Sequence, residues 1–256
     1  MKKNKIKTFH GLVIYQPSGK AAEYSRWAAN FYNGCSNGCH YCYDNQGITS
    51  RVLGGLKVRL KKSLVDVKTA EQIFLAELAK WRDAIIKDGG LHFNFVSDPC
   101  LPETIDLNWK CINYALLQKV PCQVLTKRAD WLGGHPEVQE ALEFKHLIRV
   151  GFSLTGCDVQ EPGSSPNLER IQAMRELHNA GISTWASIEP IIDPQKSLQM
   201  IQLSIDCCDH YKIGILSGKK GYGPDQIRQF IDEVHVLNPR SVYWKNSLLE
   251  FATRNN

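Results

Sequence analysis

The chain has 256 residues, of which 43% are hydrophobic and 22% are charged, and its formal net charge is +5. A globular chain of this length buries a sizeable core without disulfide staples. No apolar run reaches the ~18 residues of a membrane span, and the N-terminal sequence lacks an apolar signal-peptide core, so we expect a cytoplasmic protein with no membrane partner. The positive charge weakly favours an acidic partner such as nucleic acid.

Predicted helices and strands alternate along the chain from residue 69 onwards. Thr69 and Gln72 form a capping-box pattern that predicts the start of a helix, and Asp88 followed by two glycines predicts its end. Further helices are predicted over 106–119, 136–144 and 166–180, after Pro194 and from about Pro224. Strands are predicted over 91–97, 121–127, 147–154, 182–190, 211–216 and 241–245.

This alternation predicts parallel βαβ units. We therefore expect an α/β fold with a partial or complete parallel (β/α) barrel of about six strands. The predicted organisation is a basic N-terminal tail over residues 1–20 and a single barrel domain over 21–256, which ends in a strand–helix extension. Polar residues follow several predicted strands, and parallel barrels place their sites at the carboxyl ends of strands.

Three cysteines, Cys35, Cys39 and Cys42, lie on one segment with the spacing C-x3-C-x2-C. Soft thiolate ligands suit an iron–sulfur cluster, and three of them leave one iron of a [4Fe–4S] cluster open to an external ligand. A closed zinc site needs four ligands, usually as two separated pairs, and no second C-x2-C pair follows in the sequence. Zinc binding and the packing of unrelated buried thiols stand as alternatives.

The cysteine spacing, with Tyr41 directly before the third cysteine, resembles the fingerprint of the radical S-adenosylmethionine superfamily. Four further stretches resemble its spore photoproduct lyase-like branch and come in the same order: FVSDPCLPE (95–103), VLTKRADWL (124–132), VGFSLTG (150–156) and the E-P-G…R region (161–182). The resemblance implies a barrel of the radical S-adenosylmethionine type. It also implies that S-adenosylmethionine chelates the open iron and is cleaved to a 5′-deoxyadenosyl radical, which abstracts a substrate hydrogen. The required electron donor would be a protein such as flavodoxin or ferredoxin.

The same resemblance implies which residues contact S-adenosylmethionine. Ser97 and Asp98 are implied for the methionyl amino group, Lys127 and Ser153 for the methionyl carboxylate and the ribose, and Tyr41 for the adenine. The chemistry agrees, because an ammonium group binds hydroxyl and carboxylate acceptors and a lysine offers a cation to an anion. The plainer interpretations are an ordinary Ser-Asp-Pro turn and solvated residues at strand ends.

One position departs from the pattern of this branch. Spore photoproduct lyases have a cysteine two residues before the Ser-Asp-Pro serine, which returns a hydrogen atom to the product radical, and here that position is Phe95. Cys100 is a candidate substitute donor, or it packs beneath its loop. Tyr43 is a candidate radical relay, or it packs beside the cysteines. Arg170 of the E-P-G…R element either pairs with a carboxylate or contacts the substrate.

Three functions are compatible with these patterns. The leading hypothesis is a radical S-adenosylmethionine enzyme that acts on a nucleic acid or nucleotide, as a lyase or an oxidoreductase. The second is a radical enzyme that modifies a protein or peptide, as an activase or maturase does. The third is a non-catalytic iron–sulfur sensor or partner protein that leaves S-adenosylmethionine intact. No aromatic and basic hairpin for opening a duplex follows residue 216 in the sequence.

Overall fold

A computed structural model describes residues 9–132 and 134–254 of the chain. Its strands are β1 (Ile14–Tyr15), β2 (Ala28–Ala29), β3 (Tyr32–Asn33), β4 (Arg59–Leu60), β5 (Leu91–Phe93), β6 (Cys122–Thr126), β7 (Ile148–Ser153), β8 (Ser183–Ile191), β9 (His210–Ile215) and β10 (Val242–Trp244). Its α-helices are α1 (Val67–Lys87), α2 (Ile105–Leu117), α3 (Pro136–Leu142), α4 (Asn167–Asn179), α5 (Pro194–Ser204), α6 (Pro224–Leu237) and α7 (Asn246–Ala252).

Eight strands form one sheet in the order β1-β2-β5-β6-β7-β8-β9-β10. All neighbours from β2 to β10 are parallel, and β1 pairs antiparallel with β2 at one edge. The two edge strands are not neighbours, so the barrel is partial. The expected α/β barrel is confirmed. The last two elements are β10, which pairs with β9 in the same sheet, and α7.

The strands of the barrel are buried on both faces, which is typical of a parallel sheet covered by helices. Five of the six residues of β7 are buried, and so are seven of the nine residues of β8. Gly151 on β7 lies opposite Trp185 on β8. A Cβ atom at Gly151 would stand only 2.2 Å from the indole, so glycine is required for the indole to pack there.

The predicted start of helix α1 and the predicted end of strand β5 are wrong, for local reasons. Helix α1 begins two residues before Thr69, because the Asp66 carboxylate accepts a 2.7 Å hydrogen bond from the Thr69 amide and acts as the N-cap. Strand β5 ends at Phe93 instead of residue 97. Asn94 adopts a left-handed backbone with a φ of 62°, and this conformation ends the strand.

The described part of the predicted basic tail, residues 9–20, belongs to the folded domain, while residues 1–8 lie outside the described residues. Val13 and Ile14 are fully buried. The carboxylate of Glu77 on α1 accepts hydrogen bonds from the amides of Leu12, Val13 and Ile14, at 2.7, 3.1 and 2.6 Å. One side chain of α1 therefore fixes the path of the chain into β1.

A short 3₁₀ helix, Gly19–Glu23, follows β1 and contacts the strands at the other edge of the sheet. The Lys212 ammonium on β9 donates to the carbonyls of Glu23 and Tyr24, both at 2.9 Å, and Lys20 donates to the Ser217 hydroxyl at 2.9 Å. This segment thus bridges the open side of the barrel. Among the described helices, none combines the length and the hydrophobicity that crossing a membrane requires.

We expect Glu77→Ala to lower the free energy of unfolding by roughly 2 to 4 kcal/mol, because three backbone amides lose a charged acceptor. Urea unfolding measures this loss, and hydrogen exchange should become faster at the amides of residues 12–14. The control is Asp83→Ala on the same helix, which breaks only an exposed ion pair with Arg82 and should cost less than about 1 kcal/mol. Equal losses in the two variants would contradict the role given to Glu77.

Candidate functional site

The carboxyl ends of the parallel strands surround one cavity of about 520 Å³. Parallel barrels use this end for binding and chemistry. The cavity is lined by most of the candidate site residues predicted from the sequence. These residues come from separate loops and strand ends. They are Cys35, Cys39, Tyr41, Cys42, Tyr43, Ser97, Asp98, Lys127 and Ser153.

The cysteine loop follows β3 and is held by backbone contacts on two sides. The amides of Gly34 and Cys35 donate to the carbonyls of Leu53 and Gly55, at 2.8 and 2.9 Å, and the His40 amide donates to the Gln160 carbonyl at 2.9 Å. Gly34 has a φ of 82°, and a Cβ atom there would lie 2.4 Å from the carbonyl oxygen of residue 57. Only glycine fits this left-handed turn into the loop.

The three thiols line the same cavity, and burial raises the pKa of each, that of Cys35 to about 12. A bound metal reverses this effect, because a coordinating thiol is deprotonated. Within the described residues, no group of three His, Cys, Asp or Glu side chains is placed to hold a single metal ion. A [4Fe–4S] cluster does not require this, since each thiolate binds a different iron. The donor set fits a cluster better than a single zinc ion.

The carboxylate of Asp98 joins the cysteine loop to two strand ends. Its Oδ1 accepts hydrogen bonds from the Thr126 hydroxyl at 2.6 Å and the Cys100 amide at 3.0 Å. Its Oδ2 accepts from the Asn37 side chain and the Lys127 amide, both at 2.8 Å. A carboxylate has about four acceptor positions, and protein groups use all four. This differs from the expectation that Asp98 meets a ligand directly.

Several buried polar atoms in the cavity wall have no hydrogen-bond partner among the described residues. They include the Ser97 hydroxyl, both amide atoms of Asn94, the Asn37 Oδ1 atom and one oxygen of Asp44. Ser97 is 9% exposed and Asn94 is 5% exposed. Buried polar groups are nearly always satisfied, so ordered water or a polar ligand in the cavity must supply the partners of this set.

A second buried carboxylate, Glu161, connects Tyr41, Lys127 and Arg170. It accepts from the Tyr41 hydroxyl, its Oε2 accepts from the Arg170 guanidinium at 2.7 Å, and the Lys127 ammonium lies 3.6 Å from its Oε1. Burial by itself would raise the pKa of Glu161, but the charges of Lys127 and Arg170 and its hydrogen bonds lower it. Arg170 also donates to the Ser153 carbonyl at 2.8 Å, so it pairs with a carboxylate and fixes a strand end.

The far end of the cavity is lined by Tyr24, Ser187, Glu189 and Lys245. The Tyr24 hydroxyl lies 2.7 Å from the Ser187 hydroxyl and donates to the Glu189 carboxylate at 2.6 Å. The Lys245 ammonium donates to the same carboxylate oxygen at 2.7 Å and lies 4.3 Å from the centroid of the Tyr24 ring. Burial and the charge of Glu189 raise the pKa of Tyr24, so its hydroxyl keeps its proton at neutral pH.

The residues considered for hydrogen transfer fall in different places. Phe95 lines the cavity and stacks on the buried His92 ring, with the centroids 4.2 Å apart. Tyr43 lines the cavity and donates to the Phe95 carbonyl at 2.6 Å. Cys100 is 3% exposed and belongs to the hydrophobic core beneath its loop. A hydrogen donor must reach the substrate. Cys100 does not meet this requirement where it lies in the core.

Sequence reasoning missed Asn37, Asn94, Tyr24 and Lys245 as residues of the site. Asn37 lies between two of the cysteines, and this position is its only signal in the sequence. Asn94 and Tyr24 reach the cavity through a left-handed turn and the segment after β1, which no sequence pattern predicts. Lys245 lies at the end of the predicted strand 241–245, a position typical of site residues in a parallel barrel.

We expect Glu161→Gln to lower the free energy of unfolding by about 3 to 5 kcal/mol at neutral pH, because it leaves the buried Arg170 without its counter-charge. Since the folded-state pKa of Glu161 is lowered, its stabilisation is present above pH 4.5 and is lost as the pH falls through that lowered pKa. Urea unfolding at several pH values measures both effects.

The matched control is Asp130→Asn, which breaks the more exposed ion pair with Arg128. It should change the free energy of unfolding by less than about 1 kcal/mol. A Glu161→Gln variant as stable as this control at pH 7 would mean that the buried pair does not hold the site together.

No protein-family model matches the chain. An uncharacterised protein of the Acidianus two-tailed virus, ORF301, is 24% identical over 190 residues, which make up 66% of this chain. The match spans 57% of the length of the viral protein.

Solved structures with similar folds are those of spore photoproduct lyase. A mutant of that enzyme with bound S-adenosylmethionine and dinucleoside spore photoproduct has a TM-score of 0.64 at 16% identity, and the match covers 95% of this chain and 81% of the other. SuiB of Streptococcus suis bound to S-adenosylmethionine has a TM-score of 0.55 at 12% identity, over 86% of this chain and 51% of SuiB. This chain therefore shares the barrel fold of spore photoproduct lyase.

Proposed function

We propose that this protein is a radical S-adenosylmethionine enzyme in which Cys35, Cys39 and Cys42 hold a [4Fe–4S] cluster. The observation that carries the proposal is the placement of all three thiols on one loop, facing a cavity whose walls contain unpartnered buried polar groups. The barrel fold shared with spore photoproduct lyase supports it. Bound together, the cluster and S-adenosylmethionine supply one-electron chemistry that removes a hydrogen atom from an unreactive carbon.

The residues near the cysteines would bind and orient S-adenosylmethionine. The Ser97 hydroxyl is unpartnered and available to accept a hydrogen bond from the methionyl ammonium group. Asp98 acts as a positioning residue, because its acceptor positions are used in joining the cysteine loop to β6. Lys127 offers a cation to the methionyl carboxylate, and Glu161 keeps this ammonium over the Tyr41 ring, 5.7 Å from its centroid. Ser153 at the end of β7 would contact the ribose.

We propose a nucleotide or an unpaired nucleobase as the substrate. The complex of spore photoproduct lyase with dinucleoside spore photoproduct, which has a TM-score of 0.63, is consistent with this class. Asn94 lines the cavity, and its amide donor and acceptor have no partner among the described residues, a pair that matches the edge of a base. The cysteines line the wall of this cavity, and a base inside a duplex cannot place its reacting atoms there, so a base must enter single-stranded or flipped out.

The first test is anaerobic reconstitution with iron and sulfide. We expect about four irons per chain, by analogy with [4Fe–4S] sites in general. We also expect an EPR signal after dithionite reduction that changes when S-adenosylmethionine is added, and release of 5′-deoxyadenosine. Replacing Cys35, Cys39 or Cys42 with Ala should abolish the signal and the release.

Cys100→Ala is the matched control, and it should retain the iron because its thiol lies in the core. A cluster that forms but never cleaves S-adenosylmethionine would make the protein a sensor. Zinc bound at these cysteines with no iron incorporated would contradict the proposal.

The substrate class is tested with Asn94→Gly, which removes the amide and keeps the left-handed backbone unstrained. We expect thymidylyl-thymidine to bind about tenfold more weakly, because base atoms lose a paired partner. The change that S-adenosylmethionine causes in the EPR signal should persist. The exposed Asn179→Ala serves as the control variant. Unaltered binding in Asn94→Gly would remove Asn94 from substrate recognition.

A further inference from the structure

Residues 51–62, called the basic strip below, form a positively charged segment beside the cysteine loop. The strip contains Arg51, Lys57, Arg59, Lys61 and Lys62 and no carboxylate. The other 26 Lys and Arg residues of the chain balance its 26 Asp and Glu residues. The net charge of +5 is therefore concentrated in twelve consecutive residues.

The cations of the basic strip face solvent. Arg51, Lys57, Arg59 and Lys62 are exposed, and within residues 9–132 and 134–254 none of them forms an ion pair. Lys61 is the exception, because its ammonium is half-buried and donates to the Leu12 carbonyl at 3.2 Å. Four like charges on a short exposed segment repel one another, and an acidic surface that covers them removes this cost.

The basic strip lies directly against the cysteine loop. The Leu53 and Gly55 carbonyls of the strip accept the hydrogen bonds of the Gly34 and Cys35 amides. Leu56 packs with its Cδ2 atom against Gly38, at 3.1 Å from the position that a Cβ atom would take there. A molecule that docks on the strip is therefore separated from the Cys35 residue by one layer of backbone.

The surface of the basic strip also combines exposed apolar side chains with cations, as protein-docking sites do. Val52 and Leu56 are each 64% exposed and lie among the cations, which gives apolar positions within a charged rim. The cations that line the cavity are instead Lys20, Lys127 and Lys245. A substrate that enters the cavity uses those side chains, so the strip is available to a different partner.

We propose that the basic strip docks an acidic protein that carries single electrons at low potential. This inference rests on the proposed function, because a [4Fe–4S] cluster must be reduced from outside before it acts. One electron leaves the carrier, which is oxidised by one electron, and it enters this protein through the cysteine loop. No atom is transferred. The short path from the strip to Cys35 favours an electron carrier over a nucleic acid as the occupant, since electron transfer slows steeply with distance.

The test uses an acidic flavodoxin as the probe and compares two double variants with the same change in charge. Lys57→Glu with Arg59→Glu reverses two cations of the strip, and Lys87→Glu with Lys119→Glu reverses two exposed cations beyond the other end of the barrel. Calorimetry measures the binding of flavodoxin to the purified chain, and the absorbance of reduced flavodoxin measures its rate of oxidation by the reconstituted protein.

We expect the strip variant to bind flavodoxin and accept electrons from it about tenfold more weakly at low salt, while the control changes less than about twofold. The difference should vanish near 1 M salt, where the screening length falls to about 3 Å. Lys57→Gln with Arg59→Gln should give an intermediate loss, which guards against a folding defect in the reversal.

The inference would be overturned if the wild type did not bind flavodoxin, or if the strip and control variants bound it equally. It would also be overturned if the strip variant lost only its affinity for a single-stranded oligonucleotide. The last result would assign the strip to nucleic acid.

Dithionite bypasses the carrier. If dithionite drives 5′-deoxyadenosine release in the strip variant, the proposed function stands whatever the outcome for docking.

Discussion

The arrangement of the site depends on one buried carboxylate, that of Asp98. It receives four hydrogen bonds from three separate parts of the chain: the cysteine loop through Asn37, its own loop after β5, and the end of β6 through Thr126 and the Lys127 amide. A buried carboxylate without these donors would be unstable, and the donors without the carboxylate would be unpaired. The cysteines are therefore held against the strand ends before any ligand binds.

Glu161 adds a second connection on the other side of the cysteine loop. Its pairing with Arg170 is fully buried, and the same carboxylate holds Tyr41 and Lys127. A different set of polar groups in the cavity wall, among them the Ser97 hydroxyl and the Asn94 amide, has no partner among the described residues. Asp98 and Glu161 thus hold the site together, while other polar side chains line the cavity. This difference supports the roles proposed for each group.

Sequence patterns predicted the barrel and the residues that converge on it, because strand ends in a parallel barrel meet at one edge. Motifs cannot tell a ligand contact from a positioning contact, and Asp98 is the example, since its role depends on donors far away in the chain. The strand predicted over 91–97 ends early, at Phe93, because hydrophobic periodicity does not encode the left-handed backbone of Asn94. The contribution of residues 9–24 was missed for a similar reason: it depends on Glu77 and Lys212, which are distant in sequence.

The most direct test of the proposed cluster site is anomalous diffraction at the iron absorption edge from crystals of the reconstituted protein with S-adenosylmethionine. We expect one compact group of iron peaks beside Cys35, Cys39 and Cys42, with S-adenosylmethionine in the cavity between these residues and Ser97. Anomalous signal at the zinc edge alone, or cysteines bonded to one another with no metal nearby, would contradict it.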